Sequence, residues 1–226
     1  KNVVQEKAFI PSTKSFAIAE EELGKMVYYN QDQNLSYILA GGKFYKIDLT
    51  KDEQTVLAKN LEEGQYTVSA DGHLIAYQTS GTINTAQEIK VLNLKTDEEN
   101  AVAAKSGEAI RPLGFIGSDF VYGYLRQEDV GHTAAGGELF PMYELEIRNS
   151  ENEVMKTYSA DKIYISDVFI EENMMTLNRV VKSGETYTVT SQDYISSNEE
   201  KKTKSITLEA FSTDLKEKQM RLTYEK

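Results

Sequence analysis

Cysteine is absent from the 226 residues, which removes disulfides, thiolate metal sites and cysteine nucleophiles together. The absence leaves the compartment open, because disulfide-free proteins work on both sides of a membrane. Histidine occurs only as His73 and His132, far apart and without His-x-x-x-His spacing, so no histidine metal site is expected. Basic residues are scarce: 25 Lys and Arg stand against 36 Asp and Glu, for a formal charge of −11. A protein that neutralises phosphates needs a basic face, and anionic bilayers attract basic segments. Neither nucleic acid nor an anionic membrane surface is therefore an expected partner, and the acidity reads as a solvated exterior. No apolar run approaches the ~20 residues needed to span a bilayer, so direct membrane insertion is not expected. The motifs of common chemistries are missing as well. There is no Gly-x-Ser-x-Gly elbow, no Walker-type phosphate loop and no Gly-x-Gly-x-x-Gly after a strand. No catalytic residue, metal or cofactor is expected.

What is present is strand-forming sequence. Tyrosine (14) and phenylalanine (8) sit in runs with Val and Ile, separated by most of the 14 glycines, a composition that favours pleated, half-buried strands and tight turns. The clearest stretch runs from Val68 to Leu94. Ala70-Asp71-Gly72-His73 is a turn between short strands, and Glu88-Ile89-Lys90-Val91-Leu92-Asn93-Leu94 alternates with period two. Imperfect copies follow turns near Asp32, Asp71, Asp119 and Glu172, a spacing close to the ~40–45 residues of a four-stranded propeller blade, longer where loops are inserted. Gly41-Gly42 reads as a two-residue hairpin, since both positions tolerate positive φ. The expected architecture is a single all-β, propeller-like domain. It has about four antiparallel blades, near residues 26–60, 66–105, 111–160 and 163–198, and a terminal hairpin at 205–225. Before the first blade, Ser15–Glu20 alternates like a strand, while Glu20–Gly24 could be a helical turn closed by glycine.

Ser69-Ala70-Asp71-Gly72-His73-Leu74-Ile75-Ala76-Tyr77, followed by Glu88 to Leu94, resembles the TolB-type propeller repeat. That repeat reads as a Ser-Pro-Asp-Gly turn, an Ile-Ala-Tyr strand and an Ile-Tyr-Val-Asp-Leu strand; Ala70 stands in place of the proline, and the other copies match loosely. Phe140-Pro141-Met142-Tyr143 after a long loop is similar to cell-envelope propeller proteins of Gram-positive bacteria. The resemblance implies a fold and a scaffold or binding role in the bacterial envelope or outside the cell, with any signal or anchor upstream of Lys1. It does not imply a chemistry, because propellers host many functions. It also leaves open a gating propeller of a prolyl-oligopeptidase-like peptidase, or a sensor ectodomain. Four blades are few for such a ring, so the chain reads as part of a larger propeller or as an open one, with self-association through an open blade edge.

Among candidate sites, the turn Asp71-Gly72-His73 lacks the further acidic residues of a calcium loop; it reads as a plain turn with His73 exposed. Asp97-Glu98-Glu99 and Glu199-Glu200 read as solvated loop charge, and Tyr28, Tyr37, Tyr45 and Tyr77 as blade-core packing. The segment harder to explain as scaffold is the polar insertion Arg126–Leu139. Loops of ~12 or more residues inside a compact domain tend to be functional or disordered. A partner-binding loop carrying Arg126, Asp129 and His132, anchored by Phe140 and Tyr143, is weighed against a mobile surface insertion. Its ligand would be a protein or a cell-wall carbohydrate.

Overall fold

The computed structural model describes residues 5–171, 173–197, 206–213 and 216–224, the last two stretches as backbone only. Strand β1 (Val27–Asn30), β2 (Leu35–Ala40), β3 (Lys43–Asp48) and β4 (Glu53–Ala58) form one antiparallel meander. β5 (Tyr66–Val68), β6 (Leu74–Gln78), β7 (Glu88–Asn93) and β8 (Glu98–Ala103) form a second. The Gly41-Gly42 turn between β2 and β3 has φ of 59° and 69°, the positive pair that a two-residue hairpin matched to strand twist requires.

The rest of the described chain up to Ser197 builds one ten-stranded sheet. Its first part holds β9 (Ala109–Ile116), β10 (Asp119–Leu125), β13 (Met142–Arg148) and β14 (Val154–Tyr158), with β11 (Gly131–Thr133) and β12 (Glu138–Leu139) arising between β10 and β13. Its second part holds β15 (Ile163–Glu171), β16 (Met174–Ser183), β17 (Thr186–Val189) and β18 (Asp193–Ser196). The two parts are joined by the Met142–Ile165 pairing of β13 with β15 and, through the strand that arises between β10 and β13, by the pairing of β11 with β17, so the sheet bends and encloses a core. Residues 163–171 form one continuous strand, and β17 and β18 both pair β16, along its C-terminal and N-terminal halves respectively. A terminal hairpin, β19 (Ile206–Thr213) with β20 (Lys216–Tyr224), completes the described residues.

Alternation along each strand gives two apolar faces per sheet, and stacking sheets is what buries them. Three cores result. The first joins Tyr37, Leu39 and Phe44 of the first meander to Ile75, Tyr77 and Leu92 of the second. Another joins Leu74, Ala76 and Ile89 to Ile110, Phe120 and Tyr122. The last joins Val121, Leu125, Met142 and Leu145 to Ile165, Met175, Leu177 and Ile195. Among the described residues no fourth core joins the last sheet to the first in this all-β, propeller-like stack. At its far end Phe169, Met174 and Tyr194 stand exposed; Phe169 and Tyr194 both flank Thr176 in register and so share one face.

At the near end, the face of β2 and β3 carrying Ile38, Tyr45 and Ile47 is covered by residues 8–12 and helix α1 (Phe16–Lys25), around a cavity of about 410 Å³. Strand was one reading for Ser15–Glu20; residues 16–20 are helical. The run Ala-Ile-Ala-Glu-Glu-Glu-Leu is rich in good helix formers, and Glu22 holds the helix in place by accepting from the Lys14 ammonium and from the Gly41 amide (3.2 Å).

Near the middle of the stack β9 touches β5, β6, β7 and β15. Gly114 of β9 makes this approach possible: a Cβ there would stand 2.6 Å from Ile170 Cδ1 and 4.0 Å from Thr67 Oγ1, at a φ of +154°. Of the tyrosines expected in blade cores, Tyr37, Tyr45 and Tyr77 are buried and Tyr28 is half-buried.

Candidate functional site

The insertion expected as a loop over Arg126–Leu139 is ordered from its first residue. A 3-10 turn at Gln127–Asp129 leads into β11, which crosses to the last sheet and pairs in parallel with β17, His132 opposite Thr186 and Thr133 opposite Tyr187. The His132 amide donates to Glu185 O at 2.8 Å. The crossing is cemented at Asp129, which is buried. Tyr187 Oη donates to its carbonyl at 2.6 Å and Tyr164 Oη to its Oδ1 at 2.9 Å, while Lys182 Nζ donates to the Glu128 carbonyl at 3.1 Å. Burial, together with the Asp129 carboxylate it bonds, raises the Tyr164 pKa above the ordinary phenol value, so this hydroxyl remains a donor. Asp129 Oδ2 is buried without a partner.

The chain returns through β12 and closes a small hairpin, the Thr133 amide donating to Gly137 O at 2.7 Å. Residues 134–138 at its tip are exposed. The insertion is thus a latch between two blades, with a rigid base and a presented tip.

Arg126 and Tyr143 come together at the root of the latch. The Arg126 guanidinium lies 3.6 Å from the Tyr143 ring centroid and its Nε pairs with Glu108 at 3.1 Å. Tyr143 Oη donates to Glu108 Oε2 at 2.6 Å. Lys105 completes the cluster, 4.3 Å above the Tyr124 ring and bonded to Glu144 at 2.5 Å. Burial pulls the Lys105 ammonium down, but Glu144 and Tyr143 more than reverse this, so its pKa lies above the ordinary lysine value. The other expected residues part company. His132 is exposed on β11, and Phe140 is half-buried against the core around Met142. Arg126→Ala should remove both the stack and the ion pair, weakening the protein by about 1 kcal/mol, since the group is largely solvated. A urea titration checks this, and Arg126→Lys should recover only part, lacking the planar stack.

Elsewhere the acidic groups are more engaged than their sequence setting implies. Asp97 accepts from Tyr37 Oη at 2.7 Å and from the Lys46 ammonium, tying the first two meanders together. Glu98 and Glu99 lie in β8, and Glu99 accepts from Lys90 at 2.6 Å and Tyr77 at 3.1 Å. Solvated loop charge is therefore the wrong description for Asp97 and Glu99: each faces a phenol that needs an acceptor. Glu199-Glu200 lie outside the described residues. Asp71-Gly72-His73 is a turn as expected, with Gly72 at φ 78°. His73 is half-buried rather than exposed, its Nδ1 2.5 Å from Asp71 Oδ1. Burial pushes the Asp71 carboxyl up, but the Ser69 hydroxyl and His73 outweigh it and hold the pKa below the usual value.

Arg111 was not singled out by any motif. It lies on β9 opposite Gly123. Its Nη2 donates to Asn84 Oδ1 and to Phe140 O at 3.4 Å, and its Nε is buried without a partner. A lone arginine beside a proline carries no sequence signal for this. Among the described residues no group of His, Cys, Asp and Glu could hold a metal ion, and no helix is long and apolar enough to cross a membrane.

No protein-family model matches the chain, and no curated protein matches it in sequence. Solved structures that superpose in part include oligopeptidase B from Trypanosoma brucei, at 13% identity and a TM-score of 0.40, covering 87% of this chain and 30% of that one. A protein from Lactobacillus plantarum matches at 9% identity and a TM-score of 0.31, over 74% of this chain and 54% of that one. TolB from Acinetobacter baumannii matches at 13% and 0.25, over 77% and 54%. The chain spans roughly a third to a half of the length of these proteins. Superpositions this loose decide nothing about function, and the propeller-like fold rests on the strand registers and the three cores.

Proposed function

We propose that this chain is a non-catalytic propeller-like binding module whose recognition element is the latched β11–β12 hairpin, and that its partner is a protein. The observation that carries the reading is the contrast within one segment. Its base is held by directed bonds to Asp129, Glu128 and His132, while residues 134–138 protrude exposed. Binding elements are commonly loops held by a rigid scaffold, and a pre-ordered tip loses little entropy when it is bound. The bacterial envelope or the extracellular space is the compartment this reading takes, on the strength of the TolB-type likeness of Ser69–Leu94 alone. Self-association through the open far end, where Phe169, Met174 and Tyr194 stand exposed, belongs to the same reading.

The test is site-specific photo-crosslinking in the host cell. A crosslinker at Ala135 should give a discrete protein adduct, and one at Lys51, exposed in the turn after β3, should not. Adducts identical at both positions, or none at Ala135, would overturn the reading.

A further inference from the structure

Among the described side chains arginine separates into two kinds. Arg126, Arg148 and Arg179 each have a carboxylate partner, Glu108, Glu146 and Asp193 at 3.1, 3.6 and 3.2 Å. Arg111 has none within ion-pair distance among the described residues, although its Nε is buried. Its hydrogen-bond partners among the described residues are the neutral oxygens of Asn84 and Phe140, both on Nη2. Among the described residues Nη1 makes no hydrogen bond and is not one of the buried unpartnered atoms, which leaves that edge of the guanidinium open. Burying a cation without a counter-ion is unfavourable unless something anionic supplies the missing interaction. Burial lowers the Arg111 pKa below the ordinary guanidinium value, with the Asp167 charge acting the other way.

The place is a convergence point. Asn84 belongs to the connection after β6, Phe140 to the return from the latch, Asp167 to β15, and Arg111 to β9, the strand that touches both the second meander and β15. Asn84 and the Phe140 carbonyl hold the guanidinium plane in a fixed orientation, which spares the ordering entropy that a flexible arginine loses on binding. We propose that Arg111 is the anchor of an oxyanion site, binding a carboxylate or phosphate group through the Nη1 edge, with Asp167 setting an upper limit on its affinity. This site is separate from the β11–β12 tip and does not depend on a protein partner there.

The test is titration of the whole chain with inorganic phosphate and, separately, with acetate, at constant ionic strength in chloride, followed by calorimetry and by the Arg111 side-chain NMR signals. Saturable binding is expected for at least one of the two, and the comparison says which oxyanion is preferred. Arg111→Gln should weaken it at least about tenfold, the scale of one charge-assisted hydrogen bond. Asp167→Asn should tighten it about two- to fivefold, because an exposed like charge nearby is removed. No saturable binding to the wild type, or binding unchanged in Arg111→Gln, would overturn the site and show that Arg111 serves only to tie Asn84 to the latch return. If Arg111→Gln fails to fold, Asp167→Asn decides: tighter binding upholds the site, and unchanged affinity overturns it.

Discussion

Phe44→Ala is expected to lower the unfolding free energy by about 3–5 kcal/mol, and to do so unevenly along the chain. Phe44 has no exposed surface and packs edge-on to Tyr77 at 5.5 Å and beside Tyr37 at 6.3 Å between the first two meanders. Tyr37 and Tyr77 are themselves pinned from the far side by Asp97 and Glu99, so the site cannot collapse to fill the cavity, and the loss should fall near the top of that range. The three cores are separate clusters. A stack in which each sheet contacts only its neighbours transmits such a loss weakly. Amide hydrogen exchange should therefore show β1–β8 opening far more readily, with β13, β15 and β16 changed much less. Uniform loss of protection across all sheets would show that the stack unfolds as one unit and would refute the near-neighbour account.

Gly131→Ala should release the latch. A Cβ at this position would stand 2.5 Å from the Glu185 carbonyl oxygen and 2.8 Å from Tyr187 Cε2. The carbonyl is backbone between β16 and β17 and cannot swing aside, so β11 must move away from β17. The His132–Glu185 bond and the Tyr187–Asp129 bond then go together. The expected destabilisation is about 1–3 kcal/mol, with a large increase in exchange at the His132 amide and loss of the crosslink at Ala135. Gly137→Ala is the control, since its Cβ would meet only Thr133 Oγ1 at an ordinary 3.4 Å. If Gly131→Ala leaves the His132 amide protected, the parallel pairing with β17 is not what holds the hairpin.

Much of the fold was legible in particular residues. The Gly41-Gly42 pair, the Ser69–His73 turn and the alternation of Glu88–Leu94 each name their own local structure, because turn dihedrals and period-two burial are set within a few residues. The insertion after Leu125 was legible only as an anomaly. Gly131-His132-Thr133 has little strand signal of its own; it becomes a strand because β17, 54 residues later by the His132–Thr186 register, offers it an edge. The pairing of Arg126 with Tyr143 had the same origin, two named residues brought together by strands that the spacing alone could not align. Arg111 was silent in the sequence because what marks it is the lack, among the described residues, of a carboxylate within ion-pair distance, a fact about space.

By itself, then, the sequence determined that this chain is acidic, free of thiol chemistry and common catalytic motifs, and built of repeated antiparallel strands, since composition and short-range periodicity are properties of the chain alone. Tertiary structure decided that the third and fourth repeats merge into one bent sheet, that the polar insertion is a latch with a presented tip, and that one arginine has no carboxylate within ion-pair distance among the described residues. Each of those depends on which distant segments meet, and burial, register and ion pairing come into being only at such meetings.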